Sequence, residues 1–260
     1  MTEAIISLGS LGLIFGVLLT LASMAFSVEA DPKEEMVLDA LPGANCGACG
    51  YPGCSAYAAA VASGEAGIDK CPVGGPKLAA QIGAIMGREV KDQAKVTATV
   101  RCRGDNTVAK NRYDYEGIQT CSAANVVAHG FKGCSYGCLG LGDCVDVCEF
   151  DAIHINDKGI AIVNEENCVG CRKCVTACPR DIIHMDPGKE FVHVLCNSNE
   201  RGAGVRKVCA EGCIGCGICE RNCPTDAIKV IDNLAVIDYD KCINCGLCAK
   251  KCPMNTISIG

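Results

Sequence analysis

The cysteine pattern constrains the fold of this chain more than any other feature. The run C-x2-C-x2-C-x3-C-Pro occurs three times, and 24 of the 260 residues are cysteine. Disulfides would require an oxidising compartment, whereas thiolate-bound metal requires a reducing one. Because the chain has no Trp and only 4% aromatic residues, large side chains cannot supply much of the core. The regular run favours iron–sulfur clusters as the organising element.

The two runs nearest the C-terminus form the most regular pair. In bacterial two-cluster ferredoxins, the fourth cysteine of each run ligates the cluster of the other run. This rule predicts one cluster on Cys213, Cys216, Cys219 and Cys252, and its neighbour on Cys242, Cys245, Cys248 and Cys223.

An earlier pair of runs is less regular. Its second run is complete and ends in Pro179, but its first run has the spacing C-x3-C-x5-C-x3-C and carries Glu149 where proline is expected. The same rule predicts one cluster on Cys134, Cys138, Cys144 and Cys178, and another on Cys168, Cys171, Cys174 and Cys148.

Short apolar segments repeat with the cysteine runs and predict strands. One follows each run, and another lies between the runs of each pair, which predicts two small α+β ferredoxin modules with internal pseudosymmetry. The predicted strands of the modules are 151–155, 159–163, 181–185, 226–231, 234–237 and 255–259. Two more strands are predicted in the connecting segments, at 95–101 and 191–195.

A different cysteine group lies near the N-terminus. Cys46, Cys49, Cys54 and Cys71 have the spacing C-x2-C-x4-C-x16-C, with a predicted helix that Ser55 caps. Taken alone, four thiolates also suit a structural zinc site. The ferredoxin runs downstream favour a 4Fe–4S cluster here as well, which brings the expected number of clusters to five.

Four cysteines remain outside these groups. They are either ordinary buried thiols or a sixth four-thiolate site, and 24 cysteines divide into six groups of four with none left over. These residues are Cys102, Cys121, Cys196 and Cys209.

The segment 4–28 contains 25 residues and no charge. As a helix it would be about 37 Å long, enough to cross a hydrocarbon core of about 30 Å. A cleaved signal peptide would have basic residues before the apolar run, and none is present. We therefore expect a retained single-pass anchor in the cytoplasmic membrane, with the thiolate clusters on its cytoplasmic side.

Nothing in the sequence indicates a catalytic acid, base or nucleophile. No phosphate-binding loop, dinucleotide fingerprint or Ser–His–Asp pattern is visible. The net charge of −6 does not suggest a nucleic-acid partner. One-electron transfer needs no protein catalytic group, because the cofactor supplies the chemistry.

Residues 29–39, which follow the anchor, are acidic and form a predicted stalk. Together, the anchor, this acidic stalk, the N-terminal cysteine group and the ferredoxin modules resemble the B-type subunits of the Rnf electron-transport complexes. The resemblance implies a component of a ferredoxin:acceptor oxidoreductase that translocates Na⁺ or H⁺ across a membrane and commonly uses NAD. It further implies that the C-terminal clusters accept electrons from soluble ferredoxin, and that the Cys46 cluster delivers them to other subunits of the complex. The alternative is an iron–sulfur electron-transfer subunit of a different membrane oxidoreductase.

The predicted fold class is α+β, with a transmembrane helix, a small helical 4Fe–4S domain and two ferredoxin modules. The expected order is an anchor, an acidic stalk with the first cluster domain, a connecting segment, the first module, a second connecting segment and the second module. The boundaries are 1–28, 29–90, 91–132, 133–187, 188–210 and 211–260.

Overall fold

The chain begins with a long helix, α1, over Thr2–Ala25. The structure, a computed structural model, describes residues 2–25, 31–89, 95–188 and 190–259, with side chains of α1 over 9–22. In this part of the chain, no helix combines the length and apolar composition needed to cross a membrane. The segment predicted as an anchor is thus helical over Thr2–Ala25. The prediction that it spans a membrane is not confirmed. Residues 26–28 of the predicted anchor lie outside the described part.

Three helices form a compact N-terminal unit. α2 (Pro32–Ala40), α3 (Cys54–Ala62) and α4 (Gly75–Met86) pack around Val37 and Ile82, both fully buried. The acidic stalk is thus a helix with one buried face. Its N-cap is Asp31, whose carboxylate accepts a hydrogen bond of 2.9 Å from the backbone N–H of Lys33.

The start of α3 differs from the prediction. Gly53, not Ser55, occupies the N-cap position, and α3 begins at Cys54. No side-chain cap closes this end; instead the N–H of Cys54 donates to Oδ1 of Asn45 at 2.8 Å. The Asn45 amide therefore links the cysteine loop to the first turn of the helix.

The two predicted hairpins are present and antiparallel. In the first module, β2 (Ile153–Ile155) pairs with β3 (Ala161–Val163). In the second, β6 (Ile228–Ile231) pairs with β7 (Leu234–Ile237). Both hairpins bury small and branched apolar side chains against the cysteines of their module.

Each module also contains a strand from the segment that precedes it. β1 (Val96–Val100) pairs antiparallel with β4 (Ile183–Pro187), and β5 (Val192–Val194) pairs with β8 (Ile257–Ile259). The segments expected to connect domains thus complete the sheets of the modules. The reason is that the last strand of each module would otherwise leave its backbone groups unpaired.

Short helices follow the cysteine loops. Four of them begin directly after a residue in the left-handed conformation, and this repeat extends the pseudosymmetry to the backbone. These four are α6 (Asp143–Asp146), α7 (Lys173–Ala177), α9 (Ile218–Arg221) and α10 (Leu247–Lys251). The other two short helices are α5 (Cys121–Val126) and α8 (Gly202–Val208).

Arg103 connects the two modules. Its Nε lies 2.9 Å from Oε2 of Glu211, and its Nη1 donates to the carbonyl of Asn255 at 3.0 Å. Nearby, Arg101 contacts both carboxylate oxygens of the buried Asp186, at 2.6 and 3.2 Å. Of the two arginines that flank Cys102, Arg103 thus joins the first module to the second, whereas Arg101 binds β4 within the first module.

Replacing Ile82 with alanine tests the N-terminal core. We expect the free energy of unfolding to fall by about 2–5 kcal/mol, because the side chain is fully buried and its removal leaves a cavity. The half-buried Ile85 on the same helix is the matched control and should give a smaller loss. Denaturant titration followed by circular dichroism measures both, and equal losses would contradict this account of the core.

Candidate iron–sulfur sites

Five cavities of the structure are each lined by four cysteines. Their volumes are about 340 to 420 Å³. We number the sites in the order in which they contact one another, with site 1 in the N-terminal unit. Site 2 is Cys148, Cys168, Cys171 and Cys174; site 3 is Cys121, Cys138, Cys144 and Cys178; site 4 is Cys102, Cys134, Cys196 and Cys209; site 5 is Cys213, Cys216, Cys219 and Cys252; and site 6 is Cys223, Cys242, Cys245 and Cys248.

Site 1 is the N-terminal group: Cys46, Cys49, Cys54 and Cys71. Three of these side chains pack against the core of α2–α4. Burial raises the pKa of the Cys71 thiol, and the neighbouring thiols of Cys49 and Cys46 raise it further. The structure therefore brings the thiols of Cys46, Cys49 and Cys71 together, and Cys54 packs against the same core.

Sites 2, 5 and 6 contain the four cysteines that the ferredoxin rule assigns to each of them. In every case three cysteines come from one run, and the fourth comes from the partner run. Burial raises the pKa of Cys174 to about 11, with further contributions from Cys168, Cys171 and Cys148. Each thiol is therefore surrounded by the other thiols of its own cavity.

Site 3 differs from the prediction by one residue. Cys121 lines its cavity, and Cys134 does not. Burial is the main cause that raises the pKa of Cys144 to about 12. The neighbouring thiols of Cys138, Cys121 and Cys178 raise this pKa further. The structure thus places a cysteine of α5 where the sequence predicted the first cysteine of the loose run.

The backbone explains this exchange. Each run has a residue in the left-handed conformation two positions after its first cysteine: Gly140, Gly170, Gly215 and Asn244. Aligned on these residues, the loose run begins at Cys138, and Leu141 stands where Cys171, Cys216 and Cys245 stand in the other runs. The run is therefore a regular one that lacks its second cysteine. Its spacing looked wide because Cys134 was counted as its first cysteine.

Cys121 occupies the position that Leu141 leaves without a thiol. The backbone of Leu141 hydrogen-bonds with the Cys121 thiol. Asp143 holds α5 in place, because its carboxylate accepts hydrogen bonds from the N–H of Cys121 and from the N–H and Oγ of Ser122, the last two at 2.9 and 2.6 Å. Burial opposes ionisation of Asp143, but the hydrogen bonds from Ser122 and Cys121 outweigh it and lower the pKa.

Site 4 corresponds to the sixth four-thiol group, for which the sequence allowed either a site or ordinary buried thiols. It contains Cys134 where the sequence-based group had Cys121. Its cavity is the largest of the five, at about 420 Å³. Burial raises the pKa of Cys102 to about 12, and the same thiol accepts N–H hydrogen bonds of 3.4 Å from Gly104 and Cys138. Gly104 lies close to this site, since a Cβ at this position would be 3.3 Å from the Cβ of Ala109 and in ordinary contact with the sulfurs of Cys102 and Cys209, at 3.5 and 3.6 Å.

An equivalent N–H···S hydrogen bond is present in each of the two modules. The N–H of Ala152 donates to Cys148 at 3.4 Å, and the N–H of Ala227 donates to Cys223 at 3.3 Å. In each case the donor is the fourth residue after the last cysteine of a run. Such bonds are one of the means by which a protein adjusts the potential of a bound cluster.

The six sites form a series. Between sites 1 and 2, the ammonium group of Lys173 interacts electrostatically with Cys171 of site 2 and Cys46 of site 1. Sites 3 and 4 touch where the N–H of Cys138 donates to Cys102. Sites 4 and 5 touch where the backbone of Cys213 hydrogen-bonds with the Cys196 thiol. Sites 2 and 3, and likewise 5 and 6, share the core of one module.

These sites suit 4Fe–4S clusters. Each cavity is bordered by four thiols, the ligand set of such a cluster, and several of these thiols accept backbone N–H groups. Within the described residues, no three side chains of His, Cys, Asp or Glu lie close enough together to hold a single metal ion. The number and chemistry of the donors therefore fit a four-iron group.

Replacing Asp143 with alanine tests how Cys121 is positioned. We expect loss of up to about four iron atoms per chain, or faster loss of that iron to a chelator, because α5 is released from site 3. Asp146→Ala is the matched control, since Asp146 lies on the same short helix but is exposed. Iron and sulfide analysis measures both variants, and full, equally stable iron in Asp143→Ala would contradict this role.

Family models match the same regions. A putative Fe–S cluster model matches residues 41–73, around site 1. A 4Fe–4S dicluster domain matches 135–185, and a second 4Fe–4S dicluster model matches both 167–227 and 212–256. The match at 135–185 begins after Cys134, in agreement with its position outside the first module's cavities.

Curated relatives match nearly the whole chain. The B-type subunit of an ion-translocating oxidoreductase complex from Methanosarcina acetivorans is 43% identical over 92% of this chain and 90% of its own length. The B-type subunit of a Na⁺-translocating ferredoxin:NAD⁺ oxidoreductase complex from Acetobacterium woodii is 49% identical over 90% of this chain and 70% of its own length. The B-type subunit of a proton-translocating ferredoxin:NAD⁺ oxidoreductase complex from Clostridium ljungdahlii is 46% identical over 88% of this chain and 81% of its own length. The chain therefore belongs to the family of B-type subunits of ion-translocating oxidoreductase complexes, as an iron–sulfur electron-transfer protein.

Proposed function

We propose that this chain relays electrons between soluble reduced ferredoxin and the other subunits of a membrane-bound, ion-translocating complex, ultimately toward NAD or another carrier. The unbroken series of six four-thiol sites carries this proposal. When bound, 4Fe–4S clusters supply one-electron chemistry, and the chain's own residues hold, separate and hydrogen-bond them.

We assign one cluster to each of the six sites, with Cys121 as a ligand at site 3 and Cys134 as a ligand at site 4. The shared cavities and the contacts among thiols within each cavity support these ligand sets. Site 4 contains cysteines from both connecting segments and lies between the two modules. It accordingly links sites that would otherwise form two separate pairs.

We assign electron entry to site 6, at the end of the series farthest from site 1. Cys245 is exposed, and Ile243 in the wall of this cavity is 63% exposed, so a partner protein can approach closely. Lys229 and Lys241 are held in ion pairs with Glu220, Asp226 and Asp238, which leaves Lys250 and Lys251 of the four nearby lysines to attract an acidic ferredoxin.

We further propose that α1 attaches the cluster domains to the cytoplasmic membrane, on its reducing side. Its large side chains are at least half exposed, and an apolar helix of this kind is stabilised when lipid or an apolar partner helix covers it. These side chains are Leu11, Leu13, Ile14, Phe15, Val17, Leu18, Leu19 and Leu21. Site 1 then lies closest along the chain to the membrane subunits, where electrons leave.

Two double variants test the exchange of Cys121 and Cys134. We expect Cys102→Ser/Cys134→Ser to lose about four iron atoms, because both residues belong to site 4. We expect Cys102→Ser/Cys121→Ser to lose about eight iron atoms, because it affects both site 3 and site 4. The ligand sets predicted from sequence give the opposite order. Iron analysis after anaerobic purification distinguishes the two assignments, and loss of no iron from the first variant would mean that site 4 holds no cluster.

Deleting residues 1–28 tests the role of α1. We expect the shortened chain in the soluble fraction with unchanged iron content, and membrane vesicles that contain it should lose ferredoxin-driven ion uptake. The full-length variant Leu13→Ala is the control, because one substitution leaves most of the apolar surface intact. Uptake at the normal rate by vesicles with the shortened chain would contradict the proposal.

A further inference from the structure

Two buried cations stand beside the centre of the series. Lys132 is 0% exposed and Arg180 is 8% exposed. The ammonium group of Lys132 donates to the carbonyl of Gly104 at 2.9 Å, and Nη2 of Arg180 donates to the carbonyl of His129 at 2.7 Å. In the described part of the chain, Nε and Nη1 of Arg180 have no hydrogen-bond acceptor, and neither cation has an ion-pair partner.

Both cations lie next to the thiols of these sites. Lys132 lines the cavity of site 4. Arg180 lines the cavity of site 3, and its guanidinium group interacts electrostatically first with Cys134 of site 4 and then with Cys178 and Cys121 of site 3. A buried charge without a counter-charge is strongly unfavourable, so both positions suit an anionic occupant of the cavities.

The other charged groups around site 4 are already paired. Arg101 contacts Asp186, and Arg103 contacts Glu211. Lys132 is therefore the cation whose charge remains uncompensated in this cavity wall. At site 3 the carboxylate of Asp143 lies in the same wall as Arg180 and reduces the net effect of the arginine there.

The pseudosymmetry of the modules provides an internal comparison. Arg180 is the second residue after Cys178, and Met254 is the second residue after Cys252 and lines site 5. Among the described residues that line the cavities of sites 5 and 6, none is charged. At site 2, Arg172 is exposed, and Lys173 is paired with Glu149. Among the described cavity walls, buried cations without an ion pair are thus found at sites 3 and 4 only.

We propose that Lys132, assisted by Arg180, is the charge partner of the cluster in site 4 and makes this bridging site easier to reduce than sites 5 and 6. The proposal rests on the assignment of a cluster to site 4. A 4Fe–4S cluster with four thiolates is an anion that gains one negative charge on reduction. A nearby buried cation therefore favours the reduced form and raises the potential, because the low dielectric of the interior screens it little.

This arrangement has a consequence for direction. Electrons that enter at sites 6 and 5 meet a more easily reduced site where the modules join. Transfer from the second module to site 4 is then favourable, and return of the electron to the donor is disfavoured. Lys132 and Arg180 act through charge on the cluster and are positioning residues, not catalytic ones.

The test is a redox titration followed by electron paramagnetic resonance on the full-length, anaerobically purified holoprotein. The signal of site 4 is identified as the one absent from Cys102→Ser/Cys134→Ser. We expect Lys132→Met to retain its iron and to move the midpoint of this signal to a more negative potential. Lys110→Met removes the same charge from an exposed position in the neighbouring segment and should leave every midpoint unchanged.

Two further variants keep the test decisive if Lys132→Met binds less iron. Lys132→Arg retains the charge and should restore both the iron and the midpoint, whereas loss of iron in both variants would show a packing role and overturn the proposal. Arg180→Met should move the site 4 midpoint in the same direction without changing Lys132. Full iron with unchanged midpoints in Lys132→Met overturns the proposal while leaving the cluster assignment intact, and loss of no iron from Cys102→Ser/Cys134→Ser overturns that assignment itself.

Discussion

Packing of thiols around cavities is the constraint on which the rest of this structure depends. The strands are three to five residues long, the four sheets have two strands each, and the short helices begin beside the cysteine loops. Such elements are marginal on their own, because a two-stranded sheet buries too little apolar surface to be stable. They persist together because each module surrounds two four-thiol sites, and a bound cluster contributes to folding in the way that structural metals do.

The same arrangement determines how the sites communicate. A ligand residue makes the hydrogen bond between sites 3 and 4, at Cys138, and between sites 4 and 5, at Cys213; Lys173, next to the ligand Cys174, provides the electrostatic link between sites 1 and 2. Residues that hold a site therefore also set its spacing from the next one. Arg103 strengthens this coupling, because it lies next to Cys102 and joins the modules through its ion pair with Glu211.

Much of this architecture could be predicted from the cysteine runs. Regular spacing identified sites 1, 2, 5 and 6, and the apolar segments identified both hairpins, because local spacing and alternation express the loop and strand geometry directly. The strands predicted in the two connecting segments are present, but their partners were not predicted. Nothing local in 96–100 or 192–194 indicates that these strands complete the sheets, since their partners lie more than 60 residues away.

The sequence by itself determined the ligand chemistry, the pairing rule of the modules and the presence of four cysteines beyond them. One further signal was available in it: Leu139-Gly140 repeats the apolar–Gly/Asn pair that follows the first cysteine of each regular run, which places Leu141 at the missing cysteine. Only the tertiary structure decided which distant thiol fills that gap. Asp143 brings α5 and Cys121 to site 3, and Cys134 turns instead toward Cys102, Cys196 and Cys209. Spacing along a chain specifies ligands within one loop, whereas contacts between separate segments are specified by packing.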